Sequence, residues 1–156
     1  SAACFEMENN MITGIHHITI NVKNLTQTHR FYGELLGLTR LEDIDMGDHT
    51  LSYYALPGGA KLELICYRAV TPVCTAGLLE RGRFRHLALQ FDTVDALNSV
   101  VDRLPLYGGR VLQPPKWVEA LQFTGMLAED PNGCELEFLT LEGSAAPVEE
   151  KETDNE

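Results

Sequence analysis

The sequence has 156 residues, of which 44% are hydrophobic and 22% charged, a composition typical of one globular domain or of two small modules sharing a core. It excludes a disordered, collagen-like or coiled-coil chain, and no run of 18 apolar residues suits a membrane-spanning helix. The net charge is −11 and the sequence contains no basic stripe, and both observations argue against nucleic acid and anionic membrane surfaces as partners.

Composition and pattern divide the chain into five segments. Residues 1–13 form an N-terminal extension, expected to be partly foreign to the natural protein, and residues 142–156 form an acidic tail expected to be disordered. Between them, residues 14–67 and 85–141 read as two folded modules, joined by a linker at residues 68–84.

The cysteines and the N-terminus both favour a cytoplasmic protein. Cys4, Cys66, Cys74 and Cys134 show neither C-x-x-C spacing nor a zinc-finger pattern, and four free thiols fit a reducing compartment. The first residues also lack the basic start and apolar stretch of a secretion signal.

An internal repeat is the strongest signal in the sequence. The segment HITINVKNLTQTHRFYGELLGL begins at His17, and HLALQFDTVDALNSVVDRLPLY begins at His86. Each copy starts with an alternating strand and continues into a helical pattern. The first helix, capped by Asn24 or Thr26, should run to about Leu36, with Tyr32, Leu35 and Leu36 buried. The second, capped by Asp92 or Thr93, should end at Pro105.

Three short strands are predicted after each helix, which makes each module β-α-β-β-β and the fold α+β. The candidates are Leu41–Met46, Thr50–Ala55 and Ala60–Tyr67 in the first half, and Arg110–Leu112, Phe123–Glu129 and Cys134–Leu139 in the second. The second copy is longer, which suggests an extended loop at residues 113–116. Since neither module has enough strands to close a core alone, the two must pair, within one chain or between chains.

The two-residue period of a strand brings two imidazoles and two carboxylates to equivalent places in the repeats. His17 and His86 lie opposite the apolar faces of their strands, and Glu63 and Glu137 do the same in the last strand of each module. Two His and two Glu converging in one cup would form a divalent-metal site of a kind that suits Zn, Ni, Co, Mn or Fe(II). The competing interpretation is that each is an ordinary strand residue, with the His packed or exposed and the Glu solvated.

Other polar residues are assigned to structure or to the surface. His16 should point to the opposite face from His17 or lie at the strand edge, and Glu135 should be solvated near the hairpin. His29, on the first helix, and His49, in a turn, are expected at the surface rather than as ligands.

Four segments resemble those of the vicinal oxygen chelate superfamily, the group of glyoxalase I, extradiol dioxygenases and bleomycin resistance proteins. They are HHITINV…FYGELLGL, KLELICY, FRHLALQF and, most specifically, EDPNGCELEFL, and the likeness covers about residues 14–140. The resemblance implies paired βαβββ modules that form a curved mixed sheet around a metal-binding cup. By motif, His17, Glu63, His86 and Glu137 fall on the metal-ligand positions of glyoxalase I.

That ligand set implies a glyoxalase I-like lyase or isomerase, similar to a lactoylglutathione lyase and dependent on one divalent metal ion. In this family a carboxylate removes a proton beside a carbonyl while the metal stabilises the enediolate, and Glu137, with Glu63 as the second candidate, would be that base. Glutathione is in doubt, because Asn21 and Tyr67 stand where glutathione-using relatives carry Arg and Asn.

The resemblance leaves two other functions open. One is an Fe(II) extradiol ring-cleavage dioxygenase, and the other is a small-molecule binding or resistance protein. A small-molecule substrate is expected, and so is a homodimer, because small paired-module sheets have edges to cover. Arg81, Arg83 and Arg85 could supply anion contacts or form a solvated basic loop. An apolar pocket or ordinary core packing explains Tyr53, Trp117, Phe123 and Met126 equally well.

Overall fold

The computed structural model describes residues 11–69 and 84–143. The chain divides into two compact units, Ser1–Cys74 and Thr75–Glu156, and this division falls inside the predicted linker. Most of the predicted N-terminal extension (1–10), most of the linker (70–83) and nearly all of the acidic tail (144–156) lie outside the described residues.

The first unit is a four-stranded mixed sheet with helical structure after its first strand. Its elements are β1 (His17–Asn21), α1 (Leu25–His29), a π-helical segment (Arg30–Leu35), β2 (Arg40–Asp45), β3 (His49–Ala55) and β4 (Lys61–Tyr67). The strand order is β1-β4-β3-β2, with β1 parallel to β4 and the other pairs antiparallel.

The second unit repeats this plan. Its elements are β5 (Leu87–Phe91), α2 (Val94–Arg103), a 3₁₀ turn (Leu104–Tyr107), β6 (Arg110–Val118), β7 (Phe123–Glu129) and β8 (Glu135–Thr140). The order is β5-β8-β7-β6, again with one parallel pair, β5 and β8. The predicted α+β fold and its repeated βαβββ modules are therefore confirmed.

Each unit has its core on the face of the sheet that carries the helix. In β4, Leu62 and Leu64 are fully buried while Lys61, Glu63 and Ile65 between them are only partly buried. In β8, Leu136 and Phe138 are likewise fully buried. This alternation assigns the polar side chains of both closing strands to the opposite face, away from the helices.

Polar side chains fix the start of both helices. Asn24, rather than Thr26, caps α1 by accepting a hydrogen bond from the Gln27 amide at 2.9 Å. Thr93, rather than Asp92, caps α2 by accepting from the Ala96 amide at 3.1 Å. None of the helices within the described ranges is both long and apolar enough to cross a bilayer.

The first helix departs from the predicted regular period. It changes at Arg30 into a π-helical segment, in which the Leu36 amide donates to the Phe31 carbonyl at 3.0 Å. The wider turn allows the adjacent Phe31 and Tyr32 both to be fully buried. The 3.6-residue period predicted burial of Tyr32 and Leu35 correctly, but it missed Phe31, and Leu36 is only partly buried.

The longer second copy is not explained by a loop at residues 113–116, and that prediction was wrong. These residues belong to β6, which has nine residues where β2 has six. Gln113 pairs with Leu127 and Lys116 with Gly125, so two residues of β6 face one residue of β7 between these pairs. Pro114 and Pro115 fit there because β6 is an edge strand and a β-bulge leaves backbone positions unpaired.

Candidate functional site

Strand register places the predicted residues of each unit on one face of its sheet. In the first unit, His17 pairs with Lys61 and Thr19 with Glu63, so His17 and Glu63 share a face and are offset by one two-residue step. In the second, Ala88 pairs with Glu137, and the same rule puts His86 beside Glu135 on the face of Glu137.

The Glu63 carboxylate is held by hydroxyl groups from both neighbouring strands. Thr19 Oγ1 donates to Oε1 at 3.1 Å, and the Tyr53 hydroxyl donates to Oε2. Because the Glu63 carboxylate accepts this hydrogen bond, the pKa of Tyr53 rises to about 12. A carboxylate with four lone-pair positions still has acceptor capacity for a cation after these two bonds.

His17 lies at the exposed start of β1. Its Nδ1 is 2.7 Å from Nδ1 of His16, and the two rings meet edge to face at 5.1 Å. His16 precedes the strand and accepts from the Lys61 amide through its carbonyl, which agrees with the predicted place at the strand edge. The contact between the imidazoles engages Nδ1 of His17, so Nε2 is the ring nitrogen that is suited to a metal.

In the second unit, His86 lies between two carboxylates. Nε2 is 2.9 Å from Glu137 Oε2, and Nδ1 is 2.7 Å from Glu135 Oε2. Arg85 Nε also reaches Glu135 Oε2, at 3.2 Å. The imidazole is therefore fixed at both nitrogens.

The prediction that Glu135 is solvated was wrong. It is 8% exposed, because it begins β8 beneath Arg85 and the His86 ring. Oε1 is buried and has no hydrogen-bond partner among the described residues. Such an orphaned oxygen is uncommon in a folded protein and often indicates a water or ion nearby.

The donor set of the second unit fits a divalent cation. Two ligand atoms that are each about 2.1 Å from one cation, and at a right angle to each other as in octahedral coordination, lie about 3 Å apart, close to the separation between His86 Nε2 and Glu137 Oε2. Imidazole nitrogen and carboxylate oxygen together suit the transition metals named above.

Neither unit contains a ready-made cluster of three ligands in its described part. Glu135 and Glu137 contact opposite nitrogens of His86, so the three groups form a line rather than surrounding a common point. The structure thus joins His86 to Glu137 and places His17 and Glu63 on one face. The convergence of all four stays a prediction.

The structure distinguishes between several of the alternatives that the sequence left open. Met126 is in the core, because it pairs with the buried Phe138 and so faces away from Glu137. Arg85 is engaged by Glu135, whereas Arg81 and Arg83 lie outside the described residues. Tyr53 contributes a hydroxyl to Glu63 rather than only an apolar wall.

The two histidines assigned to the surface are partly buried. His29 contacts the hydroxyl of the fully buried Tyr54 through Nδ1 at 2.7 Å, and burial lowers its pKa below 6.5. His49 lies 2.5 Å from Asp48 and packs against the Tyr67 ring at 4.9 Å. Neither joins the predicted ligands.

A groove of about 610 Å³ lies on the helical side of the first unit, away from Glu63. Its lining includes Arg30, Glu34, Arg40 and Tyr54. Arg30 pairs with Glu34, and Arg40 pairs with Asp43. Both arginines of the groove are thus paired with nearby carboxylates rather than directed at a ligand.

One of the two described cysteines is poorly suited to act as a nucleophile. Cys66 and Cys134 are free, partly buried thiols, and Cys4 and Cys74 lie outside the described residues. Burial, with a smaller effect of Asp130, raises the pKa of Cys134 to about 12. The thiolate is the reactive form, so Cys134 is unreactive near neutral pH.

Comparison with solved structures shows the same fold. A glyoxylase/bleomycin resistance protein/dioxygenase domain from Frankia sp. EAN1pec has a TM-score of 0.68 at 20% identity, covering 83% of this chain and 92% of its own. A glyoxalase family protein from Enterococcus faecalis has a TM-score of 0.66 at 23% identity, covering 83% and 99%. A V278E mutant of glyoxalase I from Zea mays has a TM-score of 0.68 at 19% identity, covering 81% of this chain but 45% of its own.

The comparison with family models identifies the family. No curated protein matches the chain significantly. The model described as the Glyoxalase/Bleomycin resistance protein/Dioxygenase superfamily, however, matches residues 14–138, which is most of the sequence. The chain therefore belongs to the glyoxalase/bleomycin resistance protein/dioxygenase superfamily.

Proposed function

We propose that this protein is a divalent-metal-dependent lyase or isomerase of the glyoxalase I type, acting on a small carbonyl compound or its thiol adduct. His17, Glu63, His86 and Glu137 would hold the metal. The observation that carries the proposal is the pairing of His86 Nε2 with Glu137 Oε2 at 2.9 Å. When bound, the cation would supply Lewis-acid stabilisation of the negative charge that develops on the substrate oxygen.

Glu137 is the proposed general base. Its carboxylate takes the proton from the carbon beside the substrate carbonyl and returns it to the neighbouring carbon. Glu63 is less suited to this movement, because Thr19 and Tyr53 hold both of its oxygens. Glu137, by contrast, has a contact to His86 at Oε2 and is partly exposed.

The second carboxylate favours a lyase or isomerase over a dioxygenase. Non-haem Fe(II) oxygenases commonly use two His and one carboxylate. Here two hydroxyl donors fix Glu63 on its face, which supports a role as a positioned metal ligand rather than as a solvated surface residue. With one carboxylate on the closing strand of each unit, the proposed site has four protein ligands instead of the three common in those oxygenases.

The thiol partner is proposed to be something other than glutathione. Asn21 is exposed at the end of β1, and its amide lacks the positive charge for a carboxylate. Tyr67 packs against His49 at the end of β4. Neither position therefore offers a positively charged side chain that could bind the carboxylates of glutathione.

The proposal includes a cytoplasmic homodimer. The free thiols of Cys66 and Cys134 fit a reducing compartment. Each sheet has two outer strands, β1 and β2 in the first unit and β5 and β6 in the second, and such edges, apart from the proline-containing β6, favour association with a second copy. Sedimentation-velocity centrifugation checks the dimer.

Replacing Glu137 by Gln tests the base. In protein loaded with a stated metal, we expect kcat/KM for the hemithioacetal of methylglyoxal and a small thiol to fall by about 10²- to 10⁴-fold. Glu63→Gln should cause a smaller loss of kcat, because Glu63 is proposed to serve chiefly as a ligand. Elemental analysis of the same samples separates loss of the base from loss of the metal.

Glu129→Gln is the matched control, since Glu129 lies on the neighbouring strand opposite Glu135 and pairs with Arg110 instead of His86. Its activity should equal that of the wild type. Full turnover by metal-loaded Glu137→Gln would exclude Glu137 as the base. Oxygen consumption with a catechol and Fe(II), without hemithioacetal turnover, would instead indicate a dioxygenase, and tight ligand binding without turnover a binding protein.

A further inference from the structure

The two halves of the repeat differ at one position beside the proposed metal ligands. Lys61 pairs with His17 in the first unit, and strand register makes Glu135 its equivalent beside His86 in the second. Lys61 reaches toward Glu42 and the Tyr53 ring. Glu135 instead contacts the imidazole directly. The second unit therefore has a buried carboxylate for which the first unit has no counterpart.

We propose that Glu135 is a positioning residue that fixes the orientation and tautomer of His86 for metal binding. This inference rests on the proposed function, because it assigns His86 as a ligand. Glu135 does not touch the metal in this scheme. It acts through the imidazole, by accepting the proton of Nδ1.

The geometry of the His86 ring supports this role. A carboxylate can only accept hydrogen bonds, so the 2.7 Å contact with Glu135 places a proton on Nδ1. By the same rule Nε2 can donate to Glu137 Oε2, which lies 2.9 Å away, so a bound metal ion would replace the proton of Nε2 while Glu135 retains that of Nδ1. Two lone-pair-bearing atoms at that separation are stabilised by a cation between them.

Burial makes the Glu135 contact a rigid one. The side chain is 6% exposed, and Arg85 Nε also donates to the oxygen that faces His86. A charged, buried hydrogen bond is stronger than one at the surface, and a fixed carboxylate limits rotation of the ring. Arg85 thereby compensates part of the cost of burying the negative charge, although Oε1 keeps no partner among the described residues.

The experiment measures metal affinity in the full-length, metal-free protein. Zn²⁺ and Co²⁺ binding would be followed by competition with a chromophoric chelator, and the visible spectrum of the Co²⁺ form reports its ligand geometry. We expect Glu135→Leu to weaken binding by about 10- to 100-fold. Glu135→Gln, whose amide oxygen can still accept from Nδ1, should restore most of that affinity and a Co²⁺ spectrum close to that of the wild type.

Two further variants control for folding and charge. Glu129→Gln removes a negative charge from the facing position of β7 without touching His86, and it should bind metal as the wild type does. If Glu135→Leu fails to fold, Glu135→Ser is the alternative, because a serine at this position can be hydrated more easily than a leucine. Circular dichroism and thermal unfolding of the metal-free proteins verify that each variant compared is folded.

The outcomes separate this inference from the proposed function. If the wild type binds neither Zn²⁺ nor Co²⁺ tightly, the metal site itself is overturned, and Glu135 with it. If the wild type binds and a folded Glu135→Leu or Glu135→Ser binds equally well, only the role of Glu135 is overturned. Equal losses in Glu135→Gln and Glu135→Leu would also overturn it, because the hydrogen bond would then not be what matters.

Discussion

Individual side chains in this protein owe their properties to neighbours that the linear sequence does not reveal. His29 is an example, since its place on an amphipathic helix indicated the surface. The wide π-helical turn that follows brings this part of the chain over β3, where the Tyr54 hydroxyl contacts the ring. Glu135 is another, because strand alternation gave its face correctly but not its burial beneath Arg85.

His29 should make the stability of the fold depend on pH. Burial, aided by the positive charge of Arg40 and opposed by Asp43, lowers its pKa below 6.5 in the folded protein. As the pH falls below about 6.5, the unfolded chain takes up a proton that the folded chain binds less readily, so the free energy of unfolding decreases. This loss continues until the pH reaches the folded-state pKa.

Urea unfolding at pH 7.5 and pH 5.5 measures this effect, with His29→Gln as the comparison. The wild type should lose more stability between the two pH values than the variant does, because the variant lacks the titrating ring. Equal losses in the two proteins would show that other groups cause the dependence. His49→Gln, at a histidine that pairs with Asp48, is a suitable control.

At the scale of elements, the sequence predicted the kinds of structure better than their irregularities. Strand alternation and helix caps are local properties, and β4, β7 and β8 lie within one residue of the predicted limits. The π-helical segment and the bulges of β6 depend on how aromatic and proline residues pack against a neighbouring element. No local period encodes that packing, so these two features could not be predicted.

The N-cap of α2 provides a prediction for this scale. Thr93→Ala removes the acceptor for the Ala96 amide, and we expect the free energy of unfolding to fall by about 1 kcal/mol. Thr93→Ser retains a hydroxyl and should stay close to the wild type. Urea denaturation followed by circular dichroism measures both, and a stability loss as large in Thr93→Ser as in Thr93→Ala would contradict the role of the hydroxyl.

At the scale of the whole molecule, most of the sequence predictions were based on the internal repeat. It gave the βαβββ plan of each unit and placed His17, Glu63, His86 and Glu137 on corresponding faces. Periodicity cannot give distances across the chain, and it therefore left open whether two pairs of ligands meet. It also could not distinguish Glu135 from Glu137, since both share one face of β8.

Metal binding should stabilise the folded protein as a whole. A ligand present at 100 times its dissociation constant adds about 2.7 kcal/mol to the free energy of unfolding. We therefore expect Zn²⁺ to raise the Tm of chelator-treated protein and His86→Gln to abolish most of this increase. Calorimetry measures the shift, and an unchanged Tm in the wild type at saturating Zn²⁺ would contradict a metal that binds the folded state.

The proline pair in β6 has a consequence for self-association. Pro114 and Pro115 lack amide hydrogens, and they stand in succession in the outermost strand of the second unit. Over this stretch the backbone cannot complete a ladder with an incoming strand, and the bulge bends it out of register. β6 thus protects this edge of the sheet from open-ended strand addition, so a dimer of defined size would form through another edge or another surface.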